Sequence, residues 1–343
     1  VFRQDRTNPS TAVSTWKGRR DLPKANPSTA VSAWMNGGLA GGSAAFTAFG
    51  GLITQYDDSG TTYRVHTFRS TSYFEVLAGS PDTDITYLVV GGGGGGGGPT
   101  SNAAGGGGGA GGLATGTFTA SAGTYYSCTI GDGGNLIASS RQYGGTSGTN
   151  DGLGVVGGTS HITPDGSSAL VTEVGGGGGG GSSSSGANRD GTAGASGGGG
   201  GMYSGQTAGS GGSATAGFAG GNAAAGSTNA MGGGGGGHSQ VGFSASGPPN
   251  FGWKGGTGSQ GLTNHSGTQP YYAAGGASSA YSASSGGGRT NSISGQSQLY
   301  SGSVVQTADA AIPNTGSGGG AAGLAVQSGA GSAGIIVLRY EVV

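Results

Sequence analysis

The chain of 343 residues holds a single cysteine, Cys128, which excludes an internal disulfide framework and any cysteine-based zinc site. That residue reads as a small buried side chain in a strand. Charge is also scarce: charged residues make up 8 % of the chain and the net charge is -1. Chains that stay unfolded for want of apolar surface are usually highly charged, so this sequence argues for order. Long apolar runs are missing too. The longest aliphatic run, residues 335–338, is far short of the roughly 20 residues that cross a bilayer as a helix, and membrane insertion is not expected.

Catalytic patterns are equally absent. A Walker-type phosphate loop needs Gly-Lys, and none of Lys17, Lys24 or Lys254 follows a glycine. At this glycine content G-x-G-x-x-G should arise about six times by chance, so it carries no weight as a nucleotide fingerprint. The G-x-S-x-G at residues 194–198 lacks the strand-to-helix context of a nucleophile elbow. His66, His161, His238 and His265 show no i, i+4 pairing, and the carboxylate pairs Asp57-Asp58 and Asp82/Asp84 sit at turn-like positions. The expectation is a protein that is not an enzyme and takes no cofactor or metal.

What the sequence has is glycine, 89 of 343 residues against roughly 7 % in average proteins. It is gathered into runs at 91–98, 105–109, 175–181, 197–201 and 232–237, with shorter ones at 286–288 and 318–320. Collagen is excluded because its glycine recurs at every third position with proline between. A plain Gly/Ser linker is disfavoured because it has no reason to segregate glycine into pure blocks.

The first and third runs each follow directly from a strand pattern. Ordering eight glycines costs about 4–8 kcal/mol more than ordering eight alanines, and something must offset that. Polyproline II geometry has three residues per turn and no internal hydrogen bonds, so its N–H and C=O groups point outward. Such helices packed side by side can pair those groups at about 0.5–1.5 kcal/mol net each. Backbones approach that closely only without a β-carbon. Residues 91–98 therefore read as one rod about 25 Å long inside a polyglycine II bundle.

The rest is strand-like. "GLITQYDDSGTTYRVHTF" (51–68) predicts a hairpin turning at 57–60, and "SYFEVLA" and "ITYLVV" predict two more strands. "GTFTASAGTYYSCTIG" (116–131) predicts a second hairpin around Ala122-Gly123, and "ALVTEV" (169–174) and "AGIIVLRYEVV" (333–343) complete the set. The expected fold class is mainly β and irregular: a small antiparallel β module capped onto a bundle of polyglycine II helices, with an extended N-terminal arm. The corresponding domains are 1–36, a basic docking arm; 37–90, a β-strand module; and 91–343, the glycine-rich bundle with interleaved strands and a closing strand.

The arm carries six basic residues against two acidic ones in residues 1–34. "NPSTAVSTW" at 8–16 recurs as "NPSTAVSAW" at 26–34. Asn-Pro opens a turn and the following residues alternate like a short strand, so each copy reads as one docking unit adding to a partner sheet. Val13, Trp16, Val31 and Trp34 are the anchoring residues. Six basic residues without an aromatic platform are a weak nucleic-acid signal, and no nucleic acid is expected.

"ITYLVVGGGGGGGG", "GTFTASAGTYYSCTIGDGG", "SSALVTEVGGGGGGG" and "GSAGIIVLRYE" together resemble the framework of glycine-rich C-terminal domains in bacteriophage tail-fibre and other appendage proteins, especially of marine phages. The resemblance covers about residues 50–343. It is also similar in logic to the receptor-binding adhesins of T-even-type long tail fibres, whose loops recognise bacterial outer-membrane proteins. The arm matches no fibre-attachment domain of that kind. The resemblance implies a virion-surface, extracellular homo-oligomer. Its arm would contact other virion proteins or copies of itself, and its glycine-rich domain would contact a bacterial surface protein or polysaccharide.

Recognition is expected on connections carried by the rigid scaffold. The longest segment between glycine blocks, residues 238–285, mixes aromatics with Ser, Gly and Asn, as antibody binding loops do. Phe243, Phe251, Trp253, Lys254, Tyr271, Tyr272 and Tyr281 are the receptor-binding candidates, with "GPPNFGWK" (247–254) the sharpest local feature. The competing assignment for these aromatics is a hydrophobic seal on the bundle flank. Alternative functions are a purely structural fibre or decoration protein, and, less favoured by the irregular residues between glycine blocks, an ice-binding or extracellular-matrix protein.

Overall fold

The computed structural model describes residues 45–78, 80–98, 103–137, 152–181, 188–225, 230–245, 259–260, 270–280, 293–295, 300–301, 304–305, 308–323 and 327–342. The chain divides into two units, Val1–Ala45 and Phe46–Val343, and everything that follows concerns the second. Among the described residues there are strands and no helices. Val13, Trp16, Val31 and Trp34, the residues expected to anchor the arm, lie outside the described residues.

Ten strands build two antiparallel sheets. They are β1 (Ala48–Phe49), β2 (Leu52–Asp58), β3 (Thr61–Phe68), β4 (Ser72–Val76), β5 (Thr83–Val90), β6 (Leu113–Ala120), β7 (Tyr125–Thr129), β8 (Ser160–Pro164), β9 (Val171–Glu173) and β10 (Ile335–Glu341). The front sheet has the order β2-β3-β10-β5-β6 and the rear sheet β1-β4-β7-β8-β9. β2 and β3 form the expected hairpin, turning through Ser59 and Gly60 at positive φ. The closing strand β10 is central, paired to β3 on one side and β5 on the other.

The predicted hairpin around Ala122-Gly123 is a corner instead. β6 pairs with β5 in the front sheet while β7 pairs with β4 and β8 in the rear one. The reason is burial: Ala120, Tyr126 and Cys128 all enter one core between the sheets, with Phe68, Phe74, Ile85, Ile162, Ile336 and Leu338. A flat hairpin would leave that core with one wall.

The central strands of the front sheet are buried on both faces, while its edge strand β2 is largely exposed. Alternation along β10 sends Ile336, Leu338 and Tyr340 to the core between the sheets. Ile335 and Val337 go to the opposite face, where Val65, Leu88 and Val90 meet Ala110, Tyr272 and Ala273 of the glycine-rich region. The rear sheet buries its inner face only; Tyr73 and Tyr125 on its outer face are exposed.

Glycine segments continue directly from the ends of these strands. Gly91 follows β5, Gly112 precedes β6, and Gly334 precedes β10. The last ladder pair, Val90 with Leu113, is followed by Gly91 N–H donating to Gly112 O at 2.9 Å, Gly94 to Gly109 at 2.8 Å and Gly97 to Gly106 at 2.8 Å. The residues between them turn elsewhere. Gly92, Gly95 and Gly98 donate to Gly158, Val155 and Gly152, while Gly93 and Gly96 donate to Ser332 and Gly329. Donors thus rotate among three neighbouring segments with a period of three residues, and each acceptor series steps back by three.

Three further segments surround residues 91–98 from the other side. Gly92 and Gly95 accept from Gly176 and Gly179, Gly94 and Gly97 from Gly319 and Ala322, and Gly93 from Gly134. Residues 91–98 therefore have six neighbours. Residues 105–112 have six of their own, hydrogen-bonding to the segments at 91–98, 174–180, 196–199, 233–236, 276–279 and 316–322.

Sterics explain the composition. A Cβ at any position from Gly91 to Gly97 would lie 2.0–2.4 Å from a carbonyl oxygen of one of three neighbours. Outer segments need glycine only on their inward side. In 152–158, Gly154 and Gly157 donate to Gly179 and Gly176 while Val155 and Val156 between them are exposed. Ala110 interrupts the pure run 105–112 where the neighbouring segment ends, at Ala273 with φ 57°, and both residues join the apolar cluster under the front sheet.

Candidate functional site

Of the seven receptor-binding candidates, Phe251, Trp253, Lys254 and Tyr281 lie outside the described residues. Phe243, Tyr271 and Tyr272 are described, and they have three different environments.

Tyr271 and Tyr272 form a two-residue strand paired with Ser259 and Gln260. Successive strand residues point to opposite sides, and these two divide accordingly. Tyr272 is 7 % exposed and packs in the apolar cluster with Val90 and Ile335. Burial raises its phenol pKa, an effect that Arg69 partly offsets. Its ring is part of the core that joins the front sheet to the glycine-rich region. Tyr271 is 50 % exposed and is the member of the pair that a partner can reach.

Tyr271 lines a groove of about 550 Å³ together with Arg69, Ile312, Pro313 and Asn314. Its far wall is a clamped turn. Asn314, at φ 58°, donates through Nδ2 to the carbonyls of Arg69 at 3.1 Å and Gly334 at 3.2 Å. Thr315 Oγ1 donates to Ile312 O at 2.7 Å, and Thr315 N–H donates to Ser332 Oγ at 2.9 Å. That wall is therefore held in place by its own hydrogen bonds. Exposed Ile312 and Tyr271 offer apolar contact and Arg69 offers a positive charge.

Phe243 belongs to an outer segment whose central residue, Gly242, is buried while Val241 and Phe243 on either side are exposed. Gly242 N–H donates to Ala219 O at 2.9 Å, and Phe243 O accepts from Gly234 at 3.0 Å. Phe218, the residue before Ala219, is 46 % exposed. The flank thus presents Phe218, Val241 and Phe243. Of these the sequence pointed only to Phe243; the signal for Val241 was the single glycine flanked by large residues, Val241-Gly242-Phe243, and Phe218 has no such pattern around it.

His265 lies outside the described residues, and among the described residues, which include His66, His161 and His238, no group of three His, Cys, Asp or Glu side chains is placed to hold a metal ion. His66 is buried in the sandwich. Its Nδ1–H donates to Gly50 O at 2.8 Å, its ring meets Phe74 edge-on, and Tyr340 O–H lies 3.4 Å from Nε2. Burial pushes its pKa down to about 4, against the Gly50 hydrogen bond and with the help of Arg64. Cys128 is fully buried and its thiol is pushed up to about 12 by burial. Ser196 of the G-x-S-x-G sequence is completely buried.

Residues 67–341 match the model of the glycine-rich domain family. That range covers both sheets from the end of β3 onward and the glycine segments, and the chain belongs to this family. No curated protein matches the sequence.

Proposed function

We propose that the glycine segments are polyglycine II helices in a hexagonally packed bundle, and that the protein is a bacteriophage appendage component displaying this bundle for recognition of a bacterial surface. In this reading residues 1–34 anchor the chain to other virion proteins or to copies of itself. The observation that carries the scaffold is the hydrogen-bond rotation around residues 91–98, whose period of three matches the three residues per turn of this helix. Six neighbours per central segment are what hexagonal packing requires.

The display role follows from the scaffold's rigidity. A lattice with inward side chains removed can present residues only on its flanks and ends, and rigid supports with variable surfaces are how binding sites are commonly built. Exposed Tyr271 and Phe243 supply aromatic contact area at low entropic cost. The appendage assignment rests on the resemblance of the strand and glycine framework to phage tail-fibre domains.

The test uses the full-length chain, fluorescently labelled, against a panel of bacterial strains. Saturable binding to a subset of strains is expected, reduced at least tenfold by Tyr271→Ala or Phe243→Ala with unchanged Tm. Binding to no strain, combined with self-assembly into filaments, would replace recognition by a purely structural role.

A further inference from the structure

The outer face of the rear sheet, away from the Tyr271 groove, holds a second concave surface. Alternation along β4 and β7 puts Phe74, Val76, Tyr126 and Cys128 inward and leaves Tyr73 and Tyr125 outward, 62 % and 46 % exposed. Large exposed aromatics on a sheet face need an explanation, since isolated folding gives no reason to place two there.

Register brings their surroundings together. Tyr73 pairs with Ser127 and Ser127 with Thr163, so one cross-strand row runs from the ring across two short hydroxyl side chains. The two tyrosines flank this floor in a groove of about 550 Å³, closed at one end by the turn Pro164-Asp165-Gly166-Ser167. The turn is pinned by Asp165 N–H donating to Tyr125 O at 2.8 Å and Ser167 N–H to Pro164 O at 3.1 Å, with Gly166 at φ 68°. Tyr125 O–H donates to Glu75 Oε1 at 2.8 Å, which fixes the direction of that ring.

We infer that this groove binds a neutral saccharide. A pyranose ring has an apolar C–H face and an equatorial rim of hydroxyls, and it needs a flat amphipathic ring beside short polar groups. Tyrosine offers such a surface, apolar in its body and polar at its tip, and Ser127, Thr163 and Asp165 supply donors and acceptors around it. The groove's size falls in the range of small-ligand sites, about 300–1,000 Å³, enough for one or two sugar rings. Charge selects the class: Asp165 lines the groove and Glu75 borders it, while among the described residues no lysine or arginine lines it. Acidic sugars and phosphorylated glycans meet like charge, which costs binding.

This assignment stands apart from the display role of the glycine segments. Saturation-transfer NMR on the full chain, with the methyl glycosides of glucose, galactose, mannose and N-acetylglucosamine and with free sialic acid, tests it. At least one neutral glycoside is expected to receive saturation and sialic acid none. Tyr73→Ala and Tyr125→Ala should each reduce the signal about fivefold or more while Tm is unchanged. Tyr271→Ala should leave it intact. No signal from any neutral glycoside, an equal signal from sialic acid, or a signal that survives the Tyr73→Ala/Tyr125→Ala double variant would overturn the assignment.

Discussion

Replacing Gly94 by alanine adds one methyl group to the centre of the glycine lattice, and the sign of its effect decides between two accounts. On an exposed flexible chain the change is stabilising by up to about 1 kcal/mol, because alanine loses less conformational entropy on ordering. Here the new Cβ would lie 2.1 Å from Gly177 O and 2.6 Å from Gly177 C. Ordinary contact begins near 3.4 Å, so residues 91–98 and 175–181 must separate by roughly 1 Å, the kind of overpacking that costs about 1–3 kcal/mol.

Separation also stretches the bonds that Gly176 and Gly179 donate to Gly92 and Gly95, now 2.8 and 3.0 Å. Each buried polar group left unpaired costs about 1–3 kcal/mol. Together a loss of about 3–9 kcal/mol is expected, large against the roughly 5–15 kcal/mol of a typical domain. Val156→Ala, on an outer segment and 51 % exposed, should change stability by no more than about 0.5 kcal/mol. Thermal and urea unfolding of both variants beside the parent measure this. A Gly94→Ala protein as stable as the parent, or more stable, would refute close packing of the main chains.

Three further outcomes are expected. His66 has a folded-state pKa of about 4 against an unfolded value near 6.5; between these the unfolded chain binds the extra proton, so stability falls as pH drops from 6.5 to 4, by about 3 kcal/mol in total. Urea unfolding at intervals across that window measures the slope, which should shrink in His66→Gln. Cys128, buried with a thiol pushed up to about 12, should resist iodoacetamide at pH 8 in the native protein and react promptly in urea; native-state labelling would contradict its place in the core. Tyr272→Ala should lower stability by about 2–4 kcal/mol by opening a cavity under the front sheet, whereas Tyr271→Ala should leave the unfolding midpoint nearly unchanged.

The strands with strong β-branched or aromatic alternation were legible in the sequence: β2 and β3 around Ser59-Gly60, β5 before the first glycine run, and the closing β10. Strand β8 was not, because its outward residues His161 and Thr163 are polar and Pro164 ends it; only Ile162 enters the core between the sheets. The corner at Ala122-Gly123 looked like a hairpin because local turn chemistry does not say which sheet each flanking strand joins. Long-range pairing decides that, and β5 and β4, far away in sequence, hold the two partners.

Pure glycine runs could be read as sites of close approach. Outer segments such as 152–158 could not, since a glycine at every third position in Gly154 and Gly157 is easily lost among chance glycines. For the candidate site, composition singled out Tyr271 and Tyr272 together, but adjacent strand residues face opposite ways, and only the packing of one face against the front sheet separates core from surface. Phe218 and Tyr73 carried no local signal of exposure. Their positions depend on which side of a segment or sheet the rest of the chain covers.

Amide hydrogen exchange across residues 91–98, 105–112 and 175–181 tests the central claim most directly, because an extended glycine chain has no hydrogen bonds of its own and can be protected only by its neighbours. Protection comparable to that of β5 and β10 is the predicted result. Exchange at the rate of an unstructured glycine peptide, with those two strands still protected, would contradict it.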